Sequence, residues 1–407
     1  TSPLAWTVRL RRLASAAGLM MAVALALGVV LGELIPTVAV LLLPLLVDLA
    51  LAVTSPWERR AGRVWVDKAA SALESSGATV VAITGSYGKT TTKGYVAHLL
   101  AGQRRVLASP ASFNNRMGLA RAVNEHLSAG IDVFVAEMGT YGPGEIADLC
   151  TWIPPDVSVI TAIGPVHLER FGDEGAIVEA KSEILAGEAV AVLNVDDPRL
   201  GPLAERHQAQ RRVIRVGESG REVTLSRGQI EVEGRRLGEV PGTAHPTNVA
   251  CAVGVVLALG IDPFDVGERL ATLPEPEHRR ALVTGTTGAT VIDDTFNSNP
   301  AGAESALSLL RSLDGEGKKV VVTPGMVELG ARQEADNRAF AARAAQVADV
   351  VIVVGRTNRR SLVDGAGGSD ARVMVMADRE SAVSWVRDNL GPGDAVLYEN
   401  DLPDHYP

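Results

Sequence analysis

Thr84-Gly85-Ser86-Tyr87-Gly88-Lys89-Thr90-Thr91 follows the β-branched run Thr79–Ile83 and precedes a helical pattern from Lys93 to Leu100. A strand that turns through glycines into a helix start aims backbone N–H groups and the positive end of the helix dipole at an anion. A lysine in such a turn can reach the β- and γ-phosphates of a nucleotide, and the following Thr hydroxyl can bind Mg²⁺. Gly85, Ser86, Tyr87, Gly88, Lys89, Thr90 and Thr91 are therefore the expected phosphate-binding residues. Lys89 would bridge the phosphates, Thr90 would hold Mg²⁺, and the nucleotide expected is ATP. The spacing is not that of a full Walker A motif, because Ile83 stands where its first glycine belongs.

Two further candidates follow apolar strand patterns. Glu137 ends Asp132–Glu137, where a carboxylate can reach the phosphate loop and suits Mg²⁺, a hard cation that prefers oxygen ligands. His167 follows Val157–Ile163 and a Gly-Pro turn, at the strand end where open α/β sheets place ligands. Lys181 lies between Glu179 and Glu183 on a helical stretch, and on its own reads as a solvated lysine.

These residues need a scaffold, and from Ala78 onward short β-rich runs alternate with helical patterns. Asp132–Glu137, Val157–Ile163 and Ala189–Asn194 read as buried parallel strands, which makes the fold class α/β. Val213–Val240, broken by glycines, predicts a small β-meander, and Asn248–Leu259 an apolar helix ended by Gly260. After Pro274 and Pro276 a second alternation begins. Val291–Asp293, Lys319–Thr323, Val350–Val354 and Arg372–Val375 are its strands, with helices at Ala301–Leu313, Glu334–Val347 and Arg379–Leu390. This closing domain is Rossmann-like but lacks the dinucleotide GxGxxG fingerprint.

The chain has 407 residues, enough for two or three domains, and a net charge of −9, which does not favour a nucleic-acid partner. Its two cysteines, Cys150 and Cys251, make neither a metal-binding spacing nor a disulfide framework. The N-terminus differs in character. Ala14–Leu31 is almost wholly apolar, and Thr37–Val53 is apolar apart from Asp48. Arg9, Arg11 and Arg12 precede the pair, and Arg59, Arg60 and Arg63 follow it. Each run is long enough to cross a hydrocarbon core of about 30 Å, and the flanking arginines predict a transmembrane helical hairpin with both ends in the cytoplasm. A signal peptide and an interfacial helix pair that binds a lipid substrate are the competing readings. The expected organisation is a hairpin over 1–57, a central ATP-binding domain over 58–275 and a closing domain over 276–407. The expected location is the inner (cytoplasmic) membrane, with the catalytic domains facing the cytoplasm.

The ordered motifs resemble the Mur ligase family, most closely its MurF type, from about Ala78 to the C-terminus. The TGxxGKTT loop is Thr84–Thr91, NNxxG is Asn114–Gly118, and the acidic strand end is Glu137-Met138-Gly139. Ile163–Gly172 is similar to "GPAHLExFGS", Ala180–Ile184 to "AKxEI", Leu193–Pro198 to "LNxDDP" and Asp293–Pro300 to "DDSYNANP". The resemblance implies a P-loop central domain and a Rossmann-like C-terminal domain. It implies ATP with two Mg²⁺, held by Thr90, Glu137, His167 and a carbamylated Lys181, and a catalytic set of Lys89, His167 and Lys181. It also places Asn248 on the adenine side, and Arg279 or Arg280 with Asp294 (or Asp293) and Asn297 near the ribose.

The implied reaction activates a substrate carboxylate as an acyl phosphate and joins it to the amine of an amino acid or dipeptide. That is a step of peptidoglycan or other cell-envelope precursor synthesis, on a small-molecule or lipid-linked carboxylate. A poly-amino-acid or secondary-metabolite ligase and a non-catalytic ATP-binding membrane scaffold are the alternatives, and the oligomeric state is left open. Three features depart from the family. The apolar hairpin stands where the UDP-sugar-binding domain is expected. "GDMLELG" reads Pro324–Gly330 without its aspartate. The segment Leu397–Asp404 is acidic where the family often has a lysine.

Overall fold

Runs that are apolar on both sides of a strand need two covered faces, and here they form the inner strands of two separate sheets. A computed structural model of the chain describes residues 6–402, apart from 33, 111–112, 242–243, 275–280, 296–297, 314 and 316. The chain divides into two compact units at Ser75/Ser76.

The first unit is helical: α1 (Val8–Leu31), α2 (Leu34–Leu41) and α3 (Leu43–Ser76). Thr7 caps α1, its hydroxyl accepting from the Leu10 N–H at 3.2 Å. Arg12 near the start of α1 pairs with Glu58 of α3 at 3.0 Å. Among the described residues one helix, Val8–Val30, is long and apolar enough to cross a membrane. The second apolar run, expected as a second span, is divided between α2 and α3. The cause is Pro44, which has no N–H to offer the carbonyl one turn back. The ladder resumes around it, with Leu42 N–H on the Val38 carbonyl and Leu46 N–H on the Leu42 carbonyl. The helix α3 then runs without a break through the point where hydropathy changes.

In the second unit, β1 (Thr79–Thr84), β2 (Val106–Ala108), β3 (Val133–Glu137), β4 (Val157–Ile160), β5 (Val190–Asn194) and β6 (Val213–Gly217) form a parallel sheet. It is extended by β7 (Val223–Ser226), β8 (Gln229–Val232) and β9 (Arg235–Glu239), in the order β2-β3-β1-β4-β5-β6-β7-β8-β9. The expected meander is the antiparallel trio β7–β9, and β6 belongs to the parallel sheet. β1 lies between β3 and β4, so the chain winds away from it in both directions and leaves a crevice at the carboxyl ends. The helix Pro246–Ala258 buries Val249 to Val256 against this sheet. Gly254 permits the approach, since a Cβ there would lie 2.7 Å from Val192 Cγ1.

The second sheet has the order β10-β11-β15-β12-β13-β14: β10 (Ala281–Thr284), β11 (Thr290–Asp294), β12 (Lys319–Thr323), β13 (Val350–Val354), β14 (Arg372–Met376) and β15 (Ala395–Glu399). All neighbours are parallel except the edge pair β10–β11. The acidic C-terminal segment thus begins as a buried central strand, β15, between β11 and β12. The expected boundary at 275/276 lies outside the described residues.

Candidate active site

β1 leads directly into the phosphate loop, and α4 (Lys89–Leu100) starts where the loop ends. Gly85 has φ +148° and Gly88 φ +80°, a region that L side chains avoid. A Cβ on Gly85 would lie 2.0 Å from Thr161 Oγ1, and one on Gly88 2.2 Å from Asn248 Oδ1. Asn248, in the first turn of Pro246–Ala258, is thereby placed against the loop. Ser86 ties the loop to the segment after β4: its N–H donates to the Ala162 carbonyl at 2.7 Å, and its hydroxyl meets Gly164. Gly88, the residue before α4, has no side chain to cap it. A glycine cradle at an uncapped helix start fits a phosphate.

Lys89 Nζ donates to the Gly85 carbonyl at 2.7 Å, lying over the loop it would share with an anion. Thr91 is buried in the same turn. Tyr87 packs its ring on Gly164, where a Cβ would be 2.3 Å from it, and accepts at its carbonyl from Thr161. Its hydroxyl is buried without a partner among the described residues, and burial, then Glu174, push the phenol up.

Glu137 ends β3 beside α4, 2 % exposed. Lys93 Nζ meets its carboxylate at 2.9 Å, and Asn114 Nδ2 donates to it at 3.4 Å. Burial alone would raise this acid. The charges of Lys93 and Lys89 and hydrogen bonds from Lys93 and Thr90 outweigh it and hold the carboxyl below its ordinary value. Lys93 escaped the sequence reading, although it stands one helical turn after Lys89, on the same face.

His167 opens a short turn after β4, with φ 53°. Its Nδ1 meets Glu328 Oε2, from the turn after β12. Tyr141 sits edge-on to its ring at 4.8 Å. Burial lowers the imidazole, Glu328 opposes, and Lys89 and Lys181 lower it further. Lys181 is no solvated lysine: it is 2 % exposed, with no hydrogen-bond or ion-pair partner among the described residues. Burial first, and the charge of Lys89 second, drive its amine well below the ordinary lysine value. The spacing with Glu179 and Glu183 misled because Glu183 instead caps the helix Glu145–Trp152, accepting from Gly144 and Ala147 N–H at 2.6 and 2.9 Å.

Lys89 is thus the common neighbour: Glu137, His167 and Lys181 all respond to its charge. Among the described residues no three His, Cys, Asp or Glu side chains converge on one point. The oxygen donors Thr90 and Glu137 beside a phosphate cradle suit Mg²⁺, which is held by few protein ligands together with phosphates and water. Asp294 ends β11 in the second sheet, in register with Glu399. Asn299 caps Pro300–Ser312, accepting from the Gly302 N–H. Arg279, Arg280 and Asn297 lie outside the described residues.

Two family models match the chain, the Mur ligase middle domain over residues 83–251 and the "Mur ligase, glutamate ligase domain" over 278–398. The UDP-N-acetylmuramoyl-tripeptide–D-alanyl-D-alanine ligase of Mycobacterium leprae is 31 % identical over 374 residues, 81 % of this chain and 72 % of that protein. The chain belongs to the Mur ligase family. The enzyme of that name from Mycobacterium tuberculosis H37Rv is 32 % identical over 368 residues, 81 % of this chain and 71 % of its own. The MurF ligase of Thermotoga maritima, solved with ADP, superposes with a TM-score of 0.70 at 27 % identity, covering 84 % of this chain and 80 % of that one. Both matched regions of this Mur ligase lie in the second unit. It is an ATP-dependent ligase, and Mur ligases use ATP with Mg²⁺.

Proposed function

We propose that this Mur ligase joins the amine of an amino acid or short peptide, in the first instance D-Ala-D-Ala, to a carboxylate on a cell-envelope precursor. The observation that carries the reading is the glycine loop Gly85–Gly88 at the start of α4, with Lys89 lying over it and the Glu137 carboxylate buried beside α4. The printed names of the relatives supply the substrate class, a UDP-sugar tripeptide and D-Ala-D-Ala.

The reaction phosphorylates the carboxylate and lets the amine displace phosphate, giving an amide, ADP and phosphate. Bound ATP supplies the phosphoryl group, and Mg²⁺, at two sites, neutralises its charge. The chain's residues do the rest. Gly85 to Gly88 and the α4 start cradle the phosphates, and Lys89 leaves the loop carbonyls to meet them. Thr90 and Glu137 would hold one Mg²⁺, and His167 with a carbamate on Lys181 the other. Asn248, against Gly88, lies on the nucleotide side, and Asp294 with Arg279 or Arg280 and Asn297 faces the ribose. Burial drives the Lys181 amine well below its ordinary value, which favours the neutral form whose lone pair adds CO₂, so Lys181 is suited to carbamylation.

The helix Val8–Val30 anchors the enzyme in a bilayer in this reading, supported by its length and by apolar side chains left exposed along it, among them Leu19, Val23 and Val29. The test is mass spectrometry of products from purified protein, ATP, Mg²⁺ and a panel of acids and amines headed by UDP-MurNAc-tripeptide and D-Ala-D-Ala. An amide formed with stoichiometric ADP supports the reading. Tight ATP binding with no amide from any pair overturns it.

A further inference from the structure

Glu328 belongs to none of the roles above, yet it joins the two sheets at the reacting centre. It lies in the turn after β12 of the second sheet, and His167 lies in the turn after β4 of the first. Glu328 grips that turn twice. Its side-chain Oε2 meets His167 Nδ1, and its backbone carbonyl accepts from the Leu168 N–H at 3.1 Å. Both residues are held in the left-handed region without being glycine, His167 at φ 53° and Glu328 at φ 63°. Such a conformation persists only where the surroundings impose it, and it gathers at functional sites. The turns approach closely: a Cβ on Gly330 would lie 3.2 Å from Leu168 Cβ.

A carboxylate oxygen accepts, so His167 Nδ1 carries a hydrogen and, in the neutral ring, Nε2 keeps its lone pair. Nε2 has no hydrogen-bond partner among the described residues. Tyr141 packs edge-on against the same ring, which limits its rotation. A histidine that binds a metal through one nitrogen usually donates the other N–H to a carboxylate or carbonyl, which sets tautomer and ring direction. Here the carboxylate comes from the other sheet.

We propose that Glu328 is a positioning residue that presents His167 Nε2 to Mg²⁺, so that this metal position is complete only while the second sheet's turn is docked on His167. The inference rests on His167 as a magnesium ligand, proposed above. It makes metal retention depend on the docked arrangement: undocking frees the ring to turn and to carry its hydrogen on either nitrogen, so Nε2 is no longer held toward the cation.

The probe is Mn²⁺, titrated into the full chain with saturating ADP and followed by electron paramagnetic resonance. The variants are Glu328→Gly, Glu328→Asn, Glu328→Gln, His167→Ala and the double variant His167→Ala/Glu328→Gly, each also melted without metal. Glycine accepts positive φ, so Glu328→Gly removes the carboxylate without adding backbone strain. Glu328→Gln keeps an acceptor oxygen of the same reach.

The expected result is Mn²⁺ binding weakened roughly 10-fold or more by Glu328→Gly and by His167→Ala. Glu328→Gln should lie between Glu328→Gly and the unaltered chain, and the double variant should bind no worse than His167→Ala. Unchanged Mn²⁺ affinity in Glu328→Gly, with a lowered melting temperature, would make the contact a plain clasp and overturn the proposal. If Glu328→Gly does not fold, full Mn²⁺ affinity in Glu328→Asn, which tolerates positive φ and is too short to reach His167, overturns it equally. Unchanged affinity in His167→Ala would remove the metal reading itself, and the proposal with it.

Discussion

Lys93→Met tests the reading of α4 and β3 as one electrostatic unit. Lys93 and Glu137 meet at 2.9 Å with side chains 6 % and 3 % exposed. At an effective dielectric constant of 20, their gross attraction is about 6 kcal/mol. Most of that offsets desolvation, but removal of one partner leaves a buried charge and typically costs about 3–5 kcal/mol. Asn114 and Thr90 still donate to Glu137, and Lys89 remains near, so the lower end, about 3 kcal/mol, is expected at pH 7. For a unit spanning Ser76–Pro407 that is a fall in Tm of about 4 °C, read by calorimetry. The pH dependence has a fixed sign. The folded-state pKa of Glu137 is lowered, so its contribution is present above the ordinary carboxylate range and fades as pH falls through the folded value. The gap between the unaltered chain and Lys93→Met must therefore narrow below about pH 4. In Lys93→Met the carboxyl rises, and the acidic limb of the rate profile moves to higher pH. The double variant Lys93→Met/Glu137→Gln, with no charge buried alone, should recover at least half of the loss. A Lys93→Met protein within about 1 kcal/mol of the unaltered chain at pH 7, with the same acidic limb, would refute the reasoning.

Gly85→Ala forces a methyl group to within 2.0 Å of Thr161 Oγ1, and should lower stability by about 1–3 kcal/mol and abolish most ADP affinity in a calorimetric titration. Lys89→Ala should keep the melting temperature and lose roughly 10²–10³-fold in phosphate release, since a charge aimed at the transferring group is removed. Glu399 is pushed up to about 8, chiefly by burial, with Thr323 opposing and Asp294 adding to it. Its folded form keeps a proton that the unfolded chain releases above about pH 4. The stability of the unaltered chain should therefore fall relative to Glu399→Gln between about pH 4 and pH 8, then stay level, in melts across that range.

The fold was largely legible because its inner strands are continuous apolar runs bounded by glycine turns, as at Thr79–Thr84 and Val133–Glu137. What hid was whatever depends on distant packing. The strand Ala395–Glu399 ends in Tyr398 and Glu399, and reads as an acidic tail until it is seen between β11 and β12. Lys181 has the neighbours of a surface lysine, and only the packing of its helix reveals it as buried. Lys93 carries no motif of its own, and its role depends on β3 lying beside β1. The apolar N-terminus was visible as composition, whereas its division at Pro44 turns on a single missing N–H. Glu328 lies 161 residues from His167, beyond the reach of any local pattern.

The central claim is that a phosphoryl group passes to a substrate carboxylate at the loop built on Lys89. It is tested most directly with the acid that yields an amide in the product panel, prepared with ¹⁸O in its reacting carboxylate and turned over with ATP, Mg²⁺ and its amine. The account predicts one ¹⁸O atom in each phosphate released, by mass spectrometry, in step with amide formation. Phosphate free of ¹⁸O beside a normal yield of amide would contradict it.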